Sequence, residues 1–324
     1  MQWKAILGAV LAVLAIAVGI PAHADEYPTR PIRILVPYAP GGISDIAARI
    51  VGAKLSDAWG QQVVVENRPG GNGFIAVTDA VRATPDGYTL VMVTTGDVAI
   101  NPVLFKDIPY DVDRDLAPVT AVSDAPVVLA ANAATPYKKV ADVLAAARAK
   151  PDTLGVSTPG YGSINQLILE WLALNTGTRF LHVPYKGGAP AAQALVAGDI
   201  PLGILASSSV APHVASGKVR VLAVTSTTRS PLSPEWPTLQ EEGGGAVNAS
   251  NWTALMAPKA TPQPILDKLS AKVTAILAMP DVKERFAAGG VATIGAGPEE
   301  LAARIKRELA AYRLIIEKAN VHVD

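Results

Sequence analysis

The stretch "VPYAPGGISDIAAR", Val36 to Arg49, decides how this chain is read. It closes the apolar run "IRILVPY" and opens a helical pattern directly after Gly41-Gly42. A glycine-rich turn from strand to helix gathers unpaired backbone N–H groups and the positive end of a helix dipole at one point, an arrangement that suits an anion. The turn by itself allows a nucleotide phosphate, a carboxylate or no ligand. The glycine spacing argues against the phosphate: Gly41-Gly42-Ile43-Ser44 is not G-x-G-x-x-G, and no G-x-x-x-x-G-K-[ST] occurs in the chain. A carboxylate needs only a few N–H donors and a hydroxyl, which Ser44 can supply. Asp45, in the first turn, either caps the helix and complements its dipole or orients a donor or a bound water.

Outward from this stretch, short β-rich runs alternate with helical patterns, the signature of a parallel α/β architecture. "QVVVEN" reads as the next strand, followed by a second glycine-rich turn, "RPGGNG", and "TPDGYTLVMVTT" as a turn and a third strand. In the first helix, Ile46, Ile50 and Leu55 share one face. The cycle restarts near Ala125, and in this second half "VPYKGGAPA" (Val183 to Ala191) repeats Val-Pro-Tyr and Gly-Gly at a strand end. Two α/β units, each with its own Gly-Gly helix start, predict a two-lobed molecule. Strands near 119–131 and 251–257 suit two crossings between the lobes, a double hinge around a cleft. The expected division is a leader at 1–24, lobe 1 at 25–124 and 247–324, and lobe 2 at 125–246. In that arrangement two helix N-termini face each other and clamp one anion, with glycine allowing close approach to the backbone.

Composition narrows the function classes. Half of the 324 residues are hydrophobic and 17% are charged, which excludes a disordered chain. Lys+Arg and Asp+Glu are both 28, and no basic run occurs, so nucleic acid is not an expected partner. The absence of cysteine removes disulfides, thiol catalysis and cysteine-ligated zinc. Lys4, the apolar stretch from Ala5 to Ile20 and the A-x-A pattern at Ala22 and Ala24 read as an export signal cut after Ala24; an uncleaved N-terminal anchor is the alternative. Catalysis finds little support. "GYGSI" is not G-x-S-x-G, His182 has no acidic neighbour in sequence and reads as a structural histidine, and no spacing suggests a metal site. No cofactor is expected.

Several segments together carry a resemblance: "YPTRPIRILVPYAPGGISDIAARI", "VVVENRPGGNG", "TPDGYTL", "HVPYKGGAPA", "SGKVRVLAVTS" and "NWTALMAPKATP". With them the chain resembles the Bug-type solute-binding proteins of tripartite tricarboxylate transporters over nearly all of its length beyond the leader. The resemblance implies a monomeric periplasmic binding protein of the type II, Venus-flytrap α/β fold, with no enzymatic activity. It also implies a small carboxylate ligand and delivery to an integral-membrane permease, a signalling role beside a membrane sensor being the alternative. Carried over to this sequence, it implies ligand contacts at Tyr38, Gly42, Ile43, Ser44 and Asp45 in the first lobe. In the second lobe it implies Lys186, Gly187, Gly188, Ala189 and Pro190, with Asp199 of "AGDI" less securely placed. Where the family often reads "GTNGTHAINP", this chain has "VTTGDVAINP", which sets Asp97 near the expected cleft mouth. Where the family often reads "SxGxGSxxHL", this chain has "STPGYGSINQL". Thr95, Asp97, Tyr161 and Ser163 are therefore expected to choose the substrate. Ser163 capping its helix and Asp97 sitting in solvent are the plainer alternatives.

Overall fold

The computed structural model of the protein describes residues 27–322, and the expected leader at 1–24 lies outside the described residues. Strand β1 (Ile32–Val36) buries Ile32, Ile34, Leu35 and Val36, as a strand covered on both faces requires. It pairs in parallel with β2 (Val63–Asn67) and β3 (Thr89–Thr94). Helix α1 (Ile43–Trp59) makes the crossover between β1 and β2 and turns Ala47, Ile50, Val51 and Leu55 inward. The first sheet is completed by β4 (Leu116–Ala125), β10 (Asn251–Pro258) and β11 (Ala292–Ala296), in the order β11-β4-β10-β3-β1-β2. The second sheet has the order β7-β6-β8-β5-β9, formed by β5 (Val127–Asn132), β6 (Gly155–Thr158), β7 (Leu181–Pro184), β8 (Leu202–Ala206) and β9 (Val219–Val224).

The two expected crossings are present. β4 leaves the first sheet, passes Pro126 and continues as β5 of the second, while β10 returns antiparallel to β4 with Asn251 opposite Ala125. The Thr225 hydroxyl donates to Val127 O at 3.1 Å and to Ala249 O at 2.7 Å, and so holds the two crossings together. The Ser123 and Thr253 hydroxyls meet at 2.7 Å across the same pair of strands.

The final helix departs from the expected division, which puts all of 247–324 in lobe 1. Helix α9 (Pro298–Ala319) is 22 residues long, about 33 Å. Leu301 and Ile305 pack with Trp252 and Val93 of the first lobe, whereas Tyr312 and Ile316 pack with Leu167 and Ile168 of the second. The two halves of the helix thus pack on different lobes, and it joins them. Arg304, in the first third of the helix, donates to Asp124 at 3.2 Å, to the Ser250 hydroxyl at 3.0 Å and to Glu308 at 2.8 Å. Trp252 Nε1 donates to the other Glu308 oxygen at 2.7 Å.

Candidate functional site

The chain turns from strand to helix at the carboxyl ends of β1, β6, β7 and β8, and these turns meet at a cleft of about 890 Å³ between the two sheets. In open α/β sheets ligands collect at such ends because the following helices aim their N-termini there. Helix α1 is preceded by Gly42, α5 (Gly188–Ala197) by Gly187 and α6 (Ser207–Ala215) by Ala206, and no side chain caps any of the three. Gly187 has φ +116, a backbone that a residue with Cβ adopts only under strain. Helix α4 (Ile164–Thr176) differs. The Ser163 hydroxyl accepts from Gln166 N–H at 3.3 Å, and the Gln166 side chain reaches back to accept from Gly162 N–H at 2.8 Å. Its end is closed by its own residues in the manner of a capping box.

From the first lobe Tyr38, Gly42, Ile43 and Ser44 line the cleft, and from the second Tyr161, Ser163, Gly187 and Gly188. Ser44 is 1% exposed and lines the cleft, and its hydroxyl has no hydrogen-bond partner among the described residues. Tyr161 is 69% exposed and stands edge-on to His182, whose ring nitrogen meets the Thr158 hydroxyl at 2.6 Å. Burial lowers the pKa of His182, which favours the neutral ring.

Other expected residues lie elsewhere. Asp45 sits beneath the turn, where its carboxylate accepts from Gly41 N–H at 2.9 Å, from Arg49 and from Asn67. Burial alone would raise this carboxyl, but the bonds from Arg49, Gly41 and Asn67 outweigh it and hold the pKa below the ordinary value. Asp45 thus shapes the glycine turn without reaching the cleft. Thr95 is fully buried: its hydroxyl accepts from Trp252 N–H and donates to Ser250 O, both at 3.1 Å, which ties β3 to the returning crossing. Lys186, Ala189 and Pro190 are exposed beside the cleft and outside its lining, and Asp199 lies past the C-terminal end of α5, about 15 Å along the helix from Gly188.

Asp97 is placed under the cleft floor and not at its mouth. It is fully buried, accepting from Thr94 N–H at 2.7 Å, from the Thr94 hydroxyl at 2.8 Å and from the Tyr38 hydroxyl at 3.0 Å. Burial pushes its pKa up to about 6, against the pull of those hydrogen bonds. The turn "RPGGNG" makes room for it: Gly73 has φ +91, and a methyl added there would fall on Asp97 Oδ1. Neither solvation nor ligand contact describes this acid; it anchors Tyr38.

Several lining residues were not legible as such. Ser208 and Ser209 stand at the uncapped start of α6, and Gly188 lies close enough that its Cβ would be 3.3 Å from Ser209 Oγ. Their only signal is "SSS" directly after a strand, without a glycine to mark the turn. Ile46 is 42% exposed and joins the cleft lining with Ile100, Phe105 and Val127, although the helix periodicity groups it with the buried Ile50 and Leu55. Among the described residues no Asp, Glu, Lys, Arg or His lines the cleft. The donors it offers to an anion are therefore helix ends and neutral polar groups.

Residues 47–321 match the model of the tripartite tricarboxylate transporter family receptor, and the chain belongs to this family. Among solved structures it is similar to the Rpa4515 protein of R. palustris with adipate (31% identity, TM-score 0.80, covering 91% of this chain and 99% of that one). It is also similar to MatC of Rhodopseudomonas palustris with bound malate (30% identity, TM-score 0.75, covering 90% and 100%). A third similar structure is the periplasmic binding protein BugD (32% identity, TM-score 0.75, covering 91% and 99%).

Proposed function

We propose that this member of the family is a periplasmic solute-binding protein that captures a small organic carboxylate between its lobes and delivers it to a membrane permease. The observation that carries the reading is the meeting of three uncapped helix N-termini at one cleft, α1 from the first lobe and α5 and α6 from the second. Together they offer backbone N–H groups and the Ser44, Ser208 and Ser209 hydroxyls to an anion, with no formal positive charge. Because the donors come from opposite lobes, a bound carboxylate favours the closed arrangement through contacts that the open one lacks. The adipate and malate bound in the two similar proteins, and the transporter role in the family's name, support the same reading. The chain without residues 1–24 tests it in a thermal-unfolding screen of carboxylic acids and their neutral amides. A carboxylate at a hundredfold excess over its Kd stabilises the folded state by about 2.7 kcal/mol. Carboxylates are expected to raise the Tm and the matching amides to leave it unchanged. Equal effects of acid and amide, or no effect of any acid, overturn the reading.

A further inference from the structure

We infer that the ligand carries a single carboxylate on an apolar body, and that the cleft discriminates against dicarboxylates. This rests on the carboxylate reading above and specifies its class. Three helix N-termini, those of α1, α5 and α6, are free of side-chain caps, and among them the hydroxyl of Ser44, a residue 1% exposed, faces the cleft without a partner among the described residues. They make one anion site. The fourth helix end at the cleft, α4, does not make a second. Ser163 and Gln166 already take the N–H groups of Gln166 and Gly162 there, so a second carboxylate would compete with the protein's own acceptors at that end. Of the four asparagines in the lining, two are committed, Asn101 Nδ2 donating to Asn72 O at 2.8 Å and Asn165 Nδ2 to Ile204 O at 2.9 Å; Asn72 and Asn251 offer neutral amide dipoles and no counter-charge.

No cationic side chain lines the cleft among the described residues to take the charge instead. An ionised group moved from water to such a place loses its hydration without a counter-charge. The rest of the lining, with Ile43, Ile46, Ile100, Phe105, Tyr161 and Ile164, offers apolar surface on which an alkyl or aryl body gains by leaving water. The family resemblance does not lead to this class, since similar proteins hold the dicarboxylates adipate and malate.

The test is titration calorimetry of the chain without residues 1–24 against two matched pairs, hexanoate with adipate and benzoate with terephthalate, and against neutral hexanamide. At least one monocarboxylate is expected to bind tenfold or more tightly than its dicarboxylate partner, with hexanamide silent. Dicarboxylates that bind as tightly as their partners or more tightly in both pairs overturn the single-carboxylate class and leave the carboxylate reading standing. Hexanamide binding as well as hexanoate, or no heat from any of the five, overturns both. A Gln166→Ala variant frees the Gly162 N–H at the end of α4, and the preference for the monocarboxylate is expected to narrow at least threefold. An unchanged preference overturns the role given to the closed helix end.

Discussion

Replacing Gly42 with aspartate should make the protein more stable and unable to bind, two effects with one origin. Gly42 precedes α1 with φ −78 and ψ 169, an extended conformation open to any residue, and a Cβ there would meet only Ala39 O at 3.8 Å. An aspartate at this position caps the helix, which is worth a few tenths of a kcal/mol over glycine. It also faces the helix dipole favourably and restricts the unfolded chain, so the gain is about 1 kcal/mol in all. The Tm of the ligand-free chain should rise by about 2 °C. The new carboxylate occupies the N–H groups offered to the ligand and brings a like charge to within about 4 Å of it. At an effective dielectric constant near 20 that repulsion is about 4 kcal/mol, close to a thousandfold in Kd. Gly42→Asn separates the causes. It caps the helix without charge and should weaken binding by about 2 kcal/mol, the value of one hydrogen bond to a charged group. The assay is calorimetry with hexanoate, paired with thermal unfolding in the absence of ligand. Binding of Gly42→Asp within threefold of the natural chain, or an asparagine variant as damaged as the aspartate one, refutes the charge clash at this helix end.

Two further perturbations address the support beneath the cleft and behind it. In the folded protein Asp97 keeps its proton up to about pH 6, whereas an unfolded aspartate loses it near 3.8, so this residue makes stability fall as pH rises between those values and stay level above them. The gap corresponds to about 3 kcal/mol, which Asp97→Asn should remove; urea midpoints of both chains at pH 4 and pH 7 that move in parallel would contradict it. Arg304→Ala leaves Asp124 and Glu308 largely buried without their shared cation and should cost about 3 kcal/mol in urea unfolding, a loss below 1 kcal/mol counting against the hinge network described above.

The chain's local pattern carried much of the fold. Apolar runs of four to seven residues ended by Gly or Pro mark the strands, and two Val-Pro-Tyr stretches followed by Gly-Gly mark the helix starts, because these signals act within a few residues of backbone. Gly42, Ser44, Gly187 and Gly188 follow from them and do line the cleft. Asp97 shows where such reading ends. An acid after a strand ordinarily meets water, but here the segment Gly96–Ile100 folds back so that the carboxylate meets the Thr94 N–H, while Tyr38 and Gly73 arrive from distant parts of the chain. The span of α9 across both lobes is likewise invisible to periodicity, which records that a face is apolar and not which lobe receives it.

By itself, then, the sequence determined the alternation of strand and helix, the two crossings and the placing of a glycine-opened helix end in each lobe. It also closed one helix end locally, since Ser163 and Gln166 stand within a turn of each other at α4 and accept from the Gln166 and Gly162 N–H groups. The tertiary structure alone decided that the uncapped ends of α1, α5 and α6, from distant parts of the chain, meet at one cleft. It also decided that the cleft has no ionised lining among the described residues, since burial turned Asp45 and Asp97 inward and left Lys186 and Asp199 outside. Both outcomes depend on groups brought together in space, and hydrogen bonding and desolvation respond to that proximity and not to order along the chain.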